Sequence, residues 1–143
     1  MNFANPKGYK QVTIHIRRGD FSTPGNLKKG FAVVDATFVE KAKNILKLIS
    51  SEVVFFVVTN DKRWCKENLK NVNLSPFDNL GDDLAIMALS DHVIVSAGTF
   101  GWWGAWLAGG KAVYDTEFPR SKSFLATYFN KYDYYPPDWI GIN

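Results

Sequence analysis

One cysteine in 143 residues, Cys65, excludes an internal disulfide and any cysteine-built zinc site. It follows Trp64 in a helical stretch and reads as a packed thiol. The two histidines, His15 and His92, stand far apart without ligand-spaced partners, and no D-x-D occurs, so no metal site is expected. No run of apolar residues is long enough to span a bilayer, and no signal or transit peptide is recognisable, so the chain as given reads as soluble. G-x-x-x-x-G-K followed by Ser or Thr is missing, which argues against P-loop NTPase chemistry. Gly98, Gly101 and Gly104 recur every three residues and do not make the G-x-G-x-x-G of a dehydrogenase after the first strand. Charge of one sign is also scarce. Seventeen basic against fourteen acidic residues leave +3, too little to call for nucleic acid. Lys7, Lys10, Arg17, Arg18, Lys28 and Lys29 nonetheless load the first thirty residues with positive charge, which suits a small anion. What the chain has in quantity is apolar surface: 46% hydrophobic and 15% aromatic residues, enough for the core of one domain.

The pattern along the chain is that of alternating strands and helices. After a lead-in from Met1 to Lys10, Val12, Ile14 and Ile16 alternate with Thr13, His15 and Arg17, which predicts a strand over Val12 to Ile16 with His15 and Arg17 on one face. Phe21 to Val34 is rich in Ser, Pro, Gly, Asn and Lys and predicts a mobile flap, with Gly19 to Lys29 poorly ordered until a ligand arrives. Asp35 suits a helix N-cap, with Phe38, Ala42, Ile45, Leu46 and Ile49 on the apolar side and Glu40, Lys41, Lys43 and Lys47 on the other.

Val53 to Val58 has no polar alternation, the mark of a strand covered on both faces. Thr59-Asn60-Asp61 then caps a helix from Lys62 to Leu69, Val72 to Leu74 makes a short strand, and Pro76 to Gly81 a loop. Asp82-Asp83 caps a helix bearing Leu84, Ile86, Met87 and Leu89, and His92 to Ser96 is a strand. A helix begins near Thr99 and stops at Gly109-Gly110, Lys111 to Tyr114 is the final strand, and the aromatic remainder wraps the domain. Alternation of this kind predicts an α/β fold with a Rossmann-like, doubly wound parallel sheet, in which ligands bind at the carboxyl ends of the strands.

Two stretches meet at that end. Arg17 and Arg18 offer planar forks of N–H donors, and Gly19 lets the chain turn beside them. Around Ser96, Gly98, Thr99 and Phe100, a strand feeds a glycine turn and a helix N-terminus, so hydroxyls and first-turn N–H groups can cradle an anion. Plainer readings are a solvated arginine pair and a buried Gly/Trp helix in which Gly101, Gly104 and Ala105 flatten the face packed on the sheet.

His15-Ile16-Arg17-Arg18-Gly19-Asp20 resembles the H-x-R-R-x-D signature of the superfamily of α1,2-, α1,6- and protein O-fucosyltransferases. Val57-Val58-Thr59-Asn60-Asp61 with Trp64-Cys65 is similar to its second motif, departing at Asn60 from a Ser-Asp-Asp or Thr-Asp-Asp pattern. Asp82-Asp83 through Gly101, with Leu107-Ala108-Gly109-Gly110, is similar to its third. The closing Trp139-Ile140-Gly141-Ile142-Asn143 resembles the end of animal galactoside α1,2-fucosyltransferases, of the type grouped as glycosyltransferase family 11.

The resemblance implies a single GDP-fucose-binding domain over residues 1–143, the C-terminal lobe of a GT-B-like enzyme whose N-terminal acceptor lobe is absent. It also implies inverting, metal-independent transfer of fucose to the 2-hydroxyl of a terminal galactose in a glycan acceptor, with GDP-fucose as donor and no cofactor. In that reading Arg17 meets the β-phosphate, with Arg18 assisting or ion-paired elsewhere. His15 and Asp83 contact guanosine, Asp83 otherwise serving as a helix cap. Asp61 holds the nucleotide, orients Arg17 or caps a helix. Asp20 is the candidate base, or a partner of Arg18, with the base then residing in the absent lobe. A eukaryotic parent would face the Golgi lumen from the membrane, and a bacterial one the cytoplasm. A catalytically silent GDP-binding module, an α1,6 or protein-O specificity, and a purely structural domain are the alternatives.

Overall fold

The computed structural model describes residues 8–143, so most of the lead-in from Met1 to Lys10 lies outside the described residues. Six strands form one all-parallel sheet: β1 Lys10–Ile16, β2 Val53–Thr59, β3 Asn73–Leu74, β4 His92–Val95, β5 Ala112–Asp115 and β6 Ile140–Ile142, in the order β3-β2-β1-β4-β5-β6. The chain winds outward from β1 in one direction to β3, then returns to β4 on the other side. The reversal lies between β1 and β4, which is where a doubly wound sheet opens a crevice at its carboxyl edge. The helices are α1 Pro24–Lys29, α2 Ala36–Ile49, α3 Lys62–Asn68, α4 Leu80–Ala88, α5 Thr99–Ala108 and α6 Lys131–Tyr134.

Each face of the sheet has its own core. Val12, Ile14 and Ile16 of β1 share one cluster with Phe55, Val57, Cys65 and the α2 residues Phe38, Val39, Ala42 and Leu46. Val58, Val93 and Val95 share the other with Ile86 and Met87 of α4, Ala105 of α5, Tyr135 and Trp139. Period-2 alternation sends Thr13 and His15 to this second side, where Thr13 Oγ1 lies 2.6 Å from Ser90 Oγ. Covering both faces explains the unbroken apolar run in β2. Asp35 caps α2 as expected, accepting the Phe38 N–H at 2.8 Å.

Four expectations need correction. Phe21 to Val34 is not a loose flap: Gly19–Ser22 is a 3-10 turn and Pro24–Lys29 a helix, capped by Thr23 and ended by Gly30 at φ 110°. Phe21 is held against Phe31 and Phe118, with ring centroids 4.4 and 6.2 Å away. Lys43 is not on the solvated side of α2. It follows Val39 by four residues, its side chain is buried, and its ammonium donates to Glu40 Oε1 at 2.8 Å and Lys70 O at 2.9 Å.

The cap of α4 is Asn79, whose Oδ1 accepts the Asp82 N–H at 2.9 Å, so the helix starts earlier than Asp82-Asp83 suggested. The aromatic remainder does more than wrap the domain, since Ile140–Ile142 adds a sixth strand beside β5. Before it, Tyr114 and Tyr135 stack at 3.7 Å, and Trp102 donates its indole N–H to Tyr134 O at 2.7 Å.

Candidate functional site

β1 ends where its charged residues begin. At the carboxyl edge, a cleft of about 400 Å³ is lined by His15, Arg17, the β2 end from Val58 to Asn60, Lys62, residues 77–80, Asp83 and Phe100. Four of the sequence candidates therefore share one cavity: His15, Arg17, Asp83 and Phe100. Its volume falls in the range of small-ligand sites.

Arg17 stands at its mouth. The guanidinium donates from Nη2 to Asp20 Oδ2 at 2.9 Å and lies 5.2 Å from the Phe21 ring centroid, while Nε is buried without a hydrogen-bond partner among the described residues. Asp20 thus pairs with Arg17, not with Arg18. Arg18 points away, to the other side of the turn. It sits 4.0 Å over the Trp64 ring, donates to Val34 O at 2.6 Å, and lies 3.8 Å from Asp61 Oδ2, too far for a hydrogen bond. Asp61 accordingly neighbours Arg18 and does not orient Arg17. Its Oδ1 accepts the Trp64 N–H at 3.0 Å, the capping role.

His15 is buried beneath Phe100, with ring centroids 5.6 Å apart, and its Nδ1 has no hydrogen-bond partner among the described residues. Burial, and secondarily the charge of Arg17, pull its pKa down to about 4, so the imidazole is neutral at physiological pH. Gly101 makes this packing feasible, because a Cβ there would collide with the imidazole. Gly101→Ala is expected to lower unfolding stability by about 1 to 3 kcal/mol through overpacking. Urea unfolding measures it, and an unchanged midpoint would show that the ring moves aside freely. Gly104 answers to a different neighbour: a Cβ there would lie 2.5 Å from Met87 Sδ, on α4 and not on the sheet.

Asp83 lies inside α4 and is nearly buried, with Oδ1 accepting the Ser75 hydroxyl at 2.8 Å. Burial pushes its carboxyl pKa up, and the Ser75 bond partly restrains the rise. It is therefore a cavity-wall carboxylate, with the capping role taken by Asn79. Ser96 and the glycine turn are placed differently from expectation. Ser96 is buried and its Oγ accepts the Arg17 N–H at 2.8 Å, so it holds the arginine's backbone. Gly98 adopts φ 87° at the N-cap of α5, where it offers no capping side chain. Ser96, Gly98 and Thr99 do not line the cleft; Phe100 does.

Sequence reasoning missed Asn60, Lys62, Phe77, Asp78 and Asn79 as cleft residues. Asn60 and Lys62 follow β2, whose carboxyl end was the available signal. Lys62 Nζ ties the opposite rim by bonding Phe77 O at 2.7 Å and Asp78 Oδ1 at 2.6 Å. Among the described residues no group of three or more His, Cys, Asp or Glu converges as a metal site.

Comparison with known proteins places the chain in a family. The family described as Glycosyl transferase family 11 matches residues 2–143. Galactoside alpha-(1,2)-fucosyltransferase 1 of Rattus norvegicus is 34% identical over 96% of this chain and 38% of its own length. The Homo sapiens protein of that name is 31% identical over 92% of this chain and 38% of its own. Galactoside alpha-(1,2)-fucosyltransferase 2 of Rattus norvegicus is 33% identical over 92% and 39%. The chain thus spans about two fifths of the length of these relatives. No solved structure matches. A family match across essentially the whole chain, with its arginine motif at the carboxyl edge of a doubly wound sheet, leads to one conclusion: this chain belongs to glycosyltransferase family 11.

Proposed function

We propose that the chain binds GDP-fucose and supplies the donor-binding lobe of an enzyme that transfers fucose to the 2-hydroxyl of a terminal galactose in a glycan. The observation that carries this reading is the convergence of Arg17, His15, Asp83 and Phe100 on one cleft at the carboxyl edge of the sheet. The relatives' names support the choice of sugar and acceptor. The rest of such an enzyme, including an N-terminal acceptor lobe, would come from sequence beyond these 143 residues. Its compartment in this reading is the Golgi lumen for a eukaryotic parent and the cytoplasm for a bacterial one.

In this proposal the guanine enters the cleft against Phe100, and the Asp83 carboxylate accepts from its N–H groups. Arg17 takes the diphosphate, its guanidinium matching phosphate oxygens as a planar fork. The acceptor hydroxyl attacks fucose C1 from the face opposite the nucleotide. The new C–O bond forms as the bond from C1 to the β-phosphate oxygen breaks, with inversion, and the hydroxyl proton must pass to a base. Asp20 is the nearest carboxylate of the motif. Its Oδ2 lies 2.9 Å from Arg17 Nη2, beside the guanidinium that takes the diphosphate, and in this proposal it accepts that proton. Charge on the departing GDP is balanced by Arg17, so the proposal requires no metal.

Isothermal titration of the chain with GDP in EDTA tests this. The expected result is saturable binding that added magnesium or manganese leaves unchanged. Binding abolished by EDTA and restored by either ion would overturn the metal-free reading, and absence of any binding would overturn donor recognition itself.

A further inference from the structure

Where the backbone ladder of β1 ends, side chains take it over. Ser96, just past β4, accepts the Arg17 N–H through Oγ at 2.8 Å. Asn60, just past β2, accepts the Arg18 N–H through Oδ1 at 3.0 Å. The two strands flanking β1 thereby each hold one of two consecutive amides. The arginine turn is gripped from both sides one residue beyond the sheet.

Asn60 reaches further than Ser96. Its Nδ2 lies 3.4 Å from Asp20 Oδ1, and the other oxygen of Asp20 receives the Arg17 guanidinium at 2.9 Å. Gly19 passes directly over the same carboxamide: a Cβ there would come within 2.6 Å of Nδ2. One side chain thus meets Arg18, Gly19 and Asp20 in succession, and it also lines the cleft. Fold stability does not account for it, because Asn60 is exposed and water can replace its bonds at little net cost.

We propose that Asn60 is a positioning residue for the donor diphosphate: through the Arg18 amide and the Asp20 carboxylate it fixes the turn that aims the Arg17 guanidinium into the cleft. It brings no charge to the ligand and acts through Arg17. This rests on the donor-binding reading above. An amide at this position accepts from Arg18 and donates to Asp20 at once. A carboxylate cannot donate, and would face Asp20 with like charge.

The test is a double-mutant cycle on GDP affinity in the full 143-residue chain, using Asn60→Ala, Arg17→Ala and the two combined, with thermal unfolding of each. Asn60→Ala is expected to weaken GDP about tenfold, within the usual range for coupled neighbours, with little change in melting temperature. The double variant should bind no more weakly than Arg17→Ala alone. Asn60→Asp, which keeps the acceptor for the Arg18 amide and loses the donor to Asp20, should show the same coupling. It also serves as the readout if the alanine variant unfolds. If Arg17→Ala leaves GDP affinity intact, the donor-binding reading fails. If Arg17→Ala weakens binding while the Asn60 variants do not, or if the two losses multiply, Asn60 is not a positioning residue and the donor-binding reading stands.

Discussion

On the proposed function, Arg17→Ala is expected to lower fucosyl transfer by the parent enzyme by about a hundredfold to a thousandfold in turnover, beyond its effect on donor affinity. Two states of the ligand call on the same guanidinium. In the proposed donor complex it would meet the phosphates, where hydrogen bonds to charged groups each contribute about 1.5 to 3 kcal/mol. As the bond to fucose C1 breaks, negative charge grows on the β-phosphate and the contact strengthens, so its loss raises the barrier as well as the dissociation constant. Arg17→Lys should recover little, because a point charge does not reproduce the fork that Asp20 and Phe21 orient. The fold should persist, since Arg17 stands outside the buried stripe of Val12, Ile14 and Ile16. GDP affinity and turnover both within about threefold of wild type, a change of only ~0.65 kcal/mol, would contradict the assignment.

The second large effect is on stability and comes from His15. Its imidazole is held neutral in the fold with a pKa of about 4, whereas the unfolded chain takes up a proton below the ordinary histidine value of 6.5. The unfolded state therefore binds more protons between these two values. This contribution is fully present above pH 6.5 and is lost as pH falls, amounting to about 3 kcal/mol by pH 4. Raised carboxyl pKa values at Asp83 and Asp115 act in the opposite direction on acidification, so the wild-type curve alone mixes several groups. The difference between wild type and His15→Gln isolates the imidazole. Urea unfolding should show wild type losing more stability than the variant between pH 7 and pH 4.5, and parallel losses would show that His15 does not titrate as its burial requires.

Much of this arrangement was legible in the chain because local chemistry and tertiary packing agree. The alternation in Val12 to Ile16 placed His15 and Arg17 on the cleft side, Asp35 marked its helix, and the glycines at 98 and 109 bounded α5. The errors fall where tertiary contacts decide. Pro24 to Lys29 buries none of its residues, so it has no apolar period to read, and its signals were the Thr23 cap, the N-terminal proline and the terminating Gly30. Lys43 looked solvated because charge was equated with exposure, although its four-residue spacing from Val39 put its stem on the apolar stripe. Ile140–Ile142 is too short for periodicity to show, and its strand character comes from pairing with β5. For the site, residue type identified Arg17 and Asp83. It could not say that Asp20 would choose Arg17 over Arg18, or that Ser96 would face an amide, since both depend on how the turn after β1 is folded.

The most direct test of the central claim is to map amide shifts of the isotope-labelled chain as GDP is added to saturation. Donor binding in the cleft predicts that the largest changes fall on His15, Arg17, Thr59, Asn60, Asp83 and Phe100, with the residues of α2 and β6 unmoved. Shifts gathered elsewhere, or none at saturating nucleotide, would contradict nucleotide binding in the crevice beside β1.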